Sequence, residues 1–312
     1  MANIRDIAKK TGYSVSTVSR VINNHPYVAE EKRHEILAVM AELNYVPNHT
    51  ARNLSYGKTK NIGVVIPFTN HPCYDRLVEG ILEAAFPAQY KVTLLPTNYD
   101  PAIEKSYLDE LAAKSFDGLI ITSKANSLAV ITDYLKFGKI VLCEEADAEG
   151  LSSIIIDRKS SITEALHYMR EQGVEQIGLA LGRDGENSSN SRVALQLCKE
   201  LFPAFDPDLV KWGCQSPEDG LAAAEFFKNH QMDGVFTSGD EVAAGIIAGY
   251  GSEEAPLVVG QENLFISRVM NFPTLDHHLP ECGKRAFEAL LDEEIQRIKI
   301  PYTFVKRNEG LS

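Results

Sequence analysis

Gly12-Tyr13-Ser14-Val15-Ser16-Thr17-Val18-Ser19-Arg20-Val21-Ile22-Asn23 is the stretch on which the reading of this chain turns. Ser14 is a good N-cap, so a helix is predicted over Val15–Ile22. Val18, Val21 and Ile22 then face inward, and Val15, Ser16, Thr17, Ser19 and Arg20 face outward. Upstream, Asn3 caps another short helix, with Asp6 completing a capping-box pair and Ile4, Ile7 and Ala8 as its apolar stripe. Thr11-Gly12 ends it, because glycine supplies the turn. Two short helices joined by a tight glycine turn form a helix-turn-helix, whose second helix enters the major groove of DNA. Small hydroxyl side chains allow close approach there, and Arg20 can reach guanine or phosphate. A helical pair used only for packing is the alternative. A third helix is predicted over roughly Glu30 to Asn44, with Ile36, Leu37, Met40 and Leu43 on one face.

The charge distribution agrees with a polyanion at one end. Residues 1–60 carry nine Lys/Arg against five Asp/Glu, a balance of +4. The remainder carries 22 against 38, so a cationic head sits on an acidic body although the whole chain is at −12. After Pro47, Asn48 to Gly57 reads as a helix of about two turns, too short to be stable alone in water. Its Leu54 either packs on the body or acts as an apolar wedge between base steps. With 312 residues, the chain suits two or three packed units. It has no run long and apolar enough to span a bilayer and no signal-peptide pattern at its start, so a cytoplasmic protein is expected. Cys73, Cys143, Cys198, Cys214 and Cys282 lack metal or redox spacing and are expected to be free, mostly buried thiols.

Beyond residue 60, strand-like and helix-like segments alternate, an α/β pattern. Ile62–Pro67, Asp117–Ile121 and Ile140–Cys143 read as buried parallel strands, and so do Ile177–Leu181, Asp233–Thr237 and Leu257–Gly260. Matching strands are offset by 115, 116 and 117 residues. This points to two copies of one doubly wound half, with loops at the carboxyl ends of both sheets facing a cleft that can hinge. Neither a nucleotide-binding glycine loop nor a nucleophile elbow is present, and Gly182-Arg183-Asp184-Gly185 is too weak a signal to count. Glu144-Glu145 and Asp240-Glu241 invite a glycosidase reading, but fit better as hydrogen-bond acceptors for ligand hydroxyls. No catalytic residue, metal or cofactor is assigned, and no enzyme is expected.

Asp6-Ile7-Ala8, Gly12-Tyr13-Ser14, Ser16–Asn23, Asn44–Asn48 and Ala51-Arg52-Asn53-Leu54 together resemble the headpiece of the LacI/GalR family of bacterial repressors over residues 2–60. The resemblance implies a helix-turn-helix headpiece on a body like the periplasmic sugar-binding proteins. It implies base reading by Val15, Ser16 and Arg20, and a hinge-helix wedge at Leu54 paired with that of a second subunit. Thr17, Ser19, Asn23, Asn48, Ala51 and Arg52 complete the expected DNA-binding set. Ala29 departs from the family, which often places a capping Ser or Thr there. The implied organisation is a headpiece over 1–47, a hinge helix over 48–58 and a two-lobed body over 59–312. Lobe 1 covers about 59–157 and 277–300 and lobe 2 about 158–276 and 301–312, with crossings near Asp157, Asp276 and Pro301.

A polyol needs planar polar groups for its hydroxyl pairs and an aromatic face for its C–H surface. The loops after the strands offer Cys73, Tyr74 and Asp75, then Glu144, Arg192, Asp240 and Glu262 as the effector-binding set. Each has a plainer reading: Asp75 and Glu262 as helix caps, Arg192 as a structural pair. Gln261-Glu262-Asn263 departs from relatives, which commonly have an aromatic and two aspartates there, and Gly239 stands where Asn is frequent. Asn70–Asp75, Leu95–Tyr99, Asp117–Ser123, Asp240–Gly245 and Ile266–Val269 resemble the maltodextrin-utilisation regulators of Gram-positive bacteria. The implied partners are double-stranded operator DNA, a small effector (a sugar such as maltose) and a second copy in a homodimer, with no membrane. A purine effector or a phosphoprotein partner, as in catabolite-control relatives, is the alternative. The absence of a leucine heptad tail before Ser312 leads to the expectation of a dimer, not a tail-linked tetramer.

Overall fold

The computed structural model describes residues 2–46, 58–184, 188–251 and 253–307. The chain divides into two units, residues 1–59 and 60–312. Asn48, Ala51, Arg52 and Leu54 lie outside the described residues, and so does the predicted hinge helix except for Lys58.

In the first unit the helices are α1 (Ile4–Thr11), α2 (Val15–Ile22) and α3 (Glu30–Glu42). Asn3 accepts the backbone N–H groups of Arg5 and Asp6, and Asp6 returns the bond to the Asn3 N–H, so the predicted capping box is present. Gly12, at φ 72°, takes the left-handed turn that ends α1. Ser14 caps α2. Ala29 gives α3 no side-chain cap, as its methyl group dictates. Ile7, Ala8, Val18, Val21 and Ile36 form the buried core. Leu37 departs from expectation: it is 46% exposed, and Val39 packs with Met40 and Leu43 instead. The helical period carries Leu37 one step past the strip led by Ile36.

Among its described residues the second unit holds twelve strands: β1 (Asn61–Ile66), β2 (Lys91–Pro96), β3 (Gly118–Ile121), β4 (Lys139–Leu142), β5 (Ser152–Ile156), β6 (Ile177–Ala180), β7 (Val210–Lys211), β8 (Gly234–Thr237), β9 (Leu257–Gln261), β10 (Thr274–Asp276), β11 (Arg297–Ile300) and β12 (Thr303–Val305). They form two six-stranded sheets, ordered β11-β5-β4-β3-β1-β2 and β12-β10-β9-β8-β6-β7. The first five strands of each half repeat one order, which is the structural meaning of the near-constant sequence offset. Every pairing is parallel except β10 with β12. The central strands are apolar on both faces because helices cover both sides. The chain passes between sheets after Ile156, after Asp276 and between Ile300 and Thr303.

Helix pairs in each half approach at glycines. A Cβ on Gly80 would lie 1.8 Å from the Pro280 carbonyl oxygen, and one on Gly283 would lie 2.0 Å from that of Leu77. In the other half, Gly220 and Gly245 meet the backbone of Val242 and Pro217 in the same way. Backbone has no rotamer with which to yield, so Gly283→Ala is expected to cost about 1–3 kcal/mol. Urea denaturation checks this; an unchanged midpoint would show that the two helices can separate freely.

Candidate functional site

Two surfaces carry chemistry. On the headpiece, Val15, Ser16 and Arg20 of α2 are exposed, and Thr17, Ser19 and Asn23 are half-buried. The Ser14 hydroxyl lies 2.8 Å from both the Ser16 and Thr17 hydroxyls, so the start of α2 presents a linked hydroxyl cluster. Arg33 of α3 donates to Asn24 Oδ1 (2.9 Å) and to the His25 carbonyl (2.7 Å), fixing the turn that follows α2. Tyr13 donates to Glu35 (2.7 Å) and pins the turn that precedes it. The Asn23 side-chain oxygen is buried without a hydrogen-bond partner, although its amide donates to Ser19.

The body holds a cavity of about 1290 Å³ lined from both halves. The loops after β1 and β3 reach it with Phe68, His71 and Ser123, and those after β6 and β8 with Arg183 and Ser238. In both sheets this is where strand order reverses, the expected ligand position for an open parallel sheet. Of the sequence-derived set, Cys73, Tyr74, Glu144, Arg192 and Glu262 line the cavity. Asp75 and Asp240 do not. Asp75 lies exposed in the first turn of the helix Pro72–Ala85, whose cap is His71 and not Asp75. Asp240 is fully buried and opens the helix Asp240–Tyr250. It accepts the Leu264 N–H (2.6 Å) and the Thr274 hydroxyl, and fills the space over Gly260, whose absent Cβ would lie 2.1 Å from Asp240 Oδ1. The rule that groups after strands face ligand fails here because the carboxylate turns toward its own sheet.

Glu262 sits at φ 89° and Asn263 at φ 47°, so two successive side-chain-bearing residues take left-handed backbone. Glu262 is buried between Arg158 (3.6 Å) and His277 (3.5 Å), with no hydrogen-bond partner on Oε2. Burial pushes its carboxyl up, but His277 and Arg158 outweigh this and hold it below the usual range. Burial lowers His277 and His71. Arg158 also donates to Gln261 Oε1 (3.2 Å), and the Gln261 amide donates to the Thr237 carbonyl (2.7 Å). On the opposite wall, Ser123 and Lys124 hold the two oxygens of Glu144 at 2.7 and 2.6 Å. Buried Glu104 shapes that wall by accepting the N–H groups of Ala125 (2.7 Å) and Asn126 (2.9 Å).

Sequence reasoning missed Tyr99, Lys124, Arg158, Arg183, Trp212 and His277. The signal for Tyr99 and Arg183 existed, since each follows a strand directly. Arg158 and His277 sit at the crossings after Asp157 and Asp276 and reach the cavity or its rear wall only through tertiary packing. The five cysteines are free, four of them buried and Cys73 half-buried. Among the described residues no group of His, Cys, Asp and Glu is arranged to hold a metal, and no helix is long and apolar enough to cross a membrane.

Comparison with known proteins gives a consistent result. Residues 3–48 match the model of bacterial regulatory proteins of the lacI family, and residues 59–308 match that of periplasmic binding proteins and the sugar-binding domain of the LacI family. Catabolite control protein B of Bacillus subtilis (strain 168) is 40% identical over 310 residues, covering 98% of this chain and all of the relative. The lac repressor dimer bound to operator and the anti-inducer ONPF superposes with a TM-score of 0.81 at 21% identity, covering 100% of this chain and 99% of the other. A complex of the transcriptional regulator CelR with cellobiose gives a TM-score of 0.69 at 19% identity, covering 99% and 100%.

Burial pushes the Asp240 carboxyl up to about 7 from its ordinary 3.8, against the bonds from Thr274 and Leu264 that favour the charged form. The folded protein therefore keeps a proton that the unfolded chain releases. Stability from this group is present below about pH 4 and is lost as pH rises toward 7. Asp240→Asn is expected to flatten the fall in urea midpoint between pH 4 and 8; parallel profiles for variant and wild type would exclude Asp240 as its source.

Proposed function

Since the chain belongs to the LacI family of bacterial regulatory proteins and is a DNA-binding transcription regulator rather than an enzyme, we propose that it is a homodimeric repressor of a carbohydrate-utilisation operon, controlled by a neutral saccharide. One observation carries the effector class. Among the described residues lining the cavity, four cations (Lys124, Arg158, Arg183, Arg192) face four acids (Glu144, Glu145, Asp184, Glu262). Lys124 is paired to Glu144 at 2.6 Å and Arg158 to Glu262 at 3.6 Å. An anionic effector would have to break such pairs inside a partly dehydrated site, which is costly. A polyol breaks none: its hydroxyls donate to carboxylates and accept from guanidinium groups, while aromatic side chains such as Phe68, Tyr74 and Trp212 offer faces for its C–H surface. Cys73, Arg192 and Glu262 complete the proposed contacts. Maltose and maltodextrins are the first candidates, from the resemblance carried by residues 70–75 and 95–99.

The DNA side follows from α2. Val15, Ser16 and Arg20 read base edges, with Thr17, Ser19 and Asn23 beside them. In the hinge segment, Asn48, Ala51 and Arg52 contact the backbone and Leu54 wedges the centre of the site. Two headpieces on half-sites of a near-palindrome match a twofold dimer. The two lobes, about 59–157 with 277–300 and 158–276 with 301–312, close on the saccharide, and its different affinity for open and closed states shifts DNA affinity.

A thermal-shift screen against maltose, maltotriose, cellobiose, ribose, hypoxanthine and guanine tests the effector class. Stabilisation by a neutral sugar, lost in Glu144→Gln, is the expected outcome; stabilisation by a purine alone would overturn it. Arg20→Ala is expected to weaken promoter binding by about 1–3 kcal/mol in fluorescence anisotropy, with the sugar response intact. An unaltered anisotropy curve would remove Arg20 from the base-reading set.

A further inference from the structure

Tyr99 follows β2 in one half of the body, and Arg183 follows β6 in the other. The guanidinium carbon of Arg183 stands 3.6 Å from the centroid of the Tyr99 ring, well inside stacking range. The same guanidinium donates to the Ser123 hydroxyl at 3.4 Å, and Ser123 in turn donates to Glu144. One side chain of the second half therefore touches two separate loops of the first. It does so with the cavity still present at about 1290 Å³, so the contact joins the walls without filling the space between them.

The Tyr99 ring is rigidly held to receive it. Asn98 and Tyr99 are both left-handed, at φ 51° and 57°. Such backbone persists only when its surroundings over-determine it. They do: the Tyr99 N–H donates to Thr97 Oγ1, its hydroxyl lies 2.6 Å from that of Tyr74, and Phe68 packs edge-on against its ring at 5.5 Å. One backbone bond and two side-chain contacts from the same half hold Tyr99, and a face of its ring meets the other half.

We infer that Arg183 is a latch that joins the two lobes across the cleft, by stacking on Tyr99 and bonding Ser123. It lies in the Gly182-Arg183-Asp184 segment, too weak a motif for nucleotide binding. The latch biases the balance between open and closed lobes, so it determines how much conformational change the effector has left to produce. Effector entry requires the stack to part, and closure on the effector re-forms it at the rim. The partner is a phenol face, on which the planar guanidinium stacks more fully than a lysine ammonium does.

This inference rests on the reading of the cavity as an effector cleft, but its test needs neither sugar nor DNA. Trp212 is the sole tryptophan of the chain and lines the same cavity. Its emission maximum and its quenching by acrylamide report cleft opening in the full-length protein. Arg183→Ala is expected to move the emission to the red and raise the quenching constant, and Arg183→Lys to do so in part. Tyr99→Leu, which spares the Ser123 bond, should give part of the Arg183→Ala shift, and the double variant should go no further than Arg183→Ala alone. Tyr99→Phe, which keeps the ring face and loses the Tyr74 bond, should stay near wild type. X-ray scattering should show a larger radius of gyration for Arg183→Ala than for wild type, without ligand. Unchanged quenching and radius in Arg183→Ala, or additive effects in the double variant, would overturn the latch and leave the saccharide reading standing. A sugar screen without hits would sink that reading and leave the latch measurement valid.

Discussion

Two parallel sheets built from one chain that crosses between them three times is the constraint on which the body depends. Each parallel strand must return by a covering helix, so every central strand is dry on both faces and the carboxyl-end loops are the part left to carry polar groups. Three crossings tie the halves at one side and aim those loops at each other. Chemistry gathers at the ties. Lys299 of β11 pairs with Asp157 at 2.7 Å beside one crossing, while Arg158, Glu262 and His277 cluster where two crossings meet the cavity. The crossings and the charged lining of the cavity are thus built from neighbouring residues.

The headpiece works under a different constraint. Its five-residue core is small, so end effects weigh heavily. The Asn3–Asp6 box, the Gly12 turn and the Ser14 cap supply unsatisfied backbone groups with partners and set the relative course of α1 and α2. Arg33 and Tyr13, on either side of α2, then fix the turns that present it. The exposed side chains of α2 do little for this core, which leaves them available for base edges.

Inside the cavity the decisive property is compensation. Acids and cations are paired in place, burial lowers the two histidines near them, and Glu262 is held below its usual range because His277 and Arg158 outweigh its desolvation. A site of this kind selects by hydrogen-bond geometry and ring faces and not by net charge. It also makes single substitutions informative, because removing one member leaves another buried and unpaired.

The sequence by itself determined the elements and their plan. Caps, turn glycines and helical spacing are local, so α1 and α2 ended where Asn3, Gly12 and Ser14 said they would. Apolar strands at offsets of 115 to 117 residues encoded two equivalent sheets, because burial on both faces leaves a continuous trace. Tertiary structure alone decided which side chains share the cavity. Cys73, Tyr74, Glu144, Arg192 and Glu262 come together there, while Asp240 turns into its own sheet and Asp75 toward solvent. Arg158, Arg183 and His277 acquire their surroundings from residues about 60 to 120 positions away. A strand or a cap is written by neighbours three or four residues off, whereas the direction of a loop side chain is set by what the other sheet brings against it.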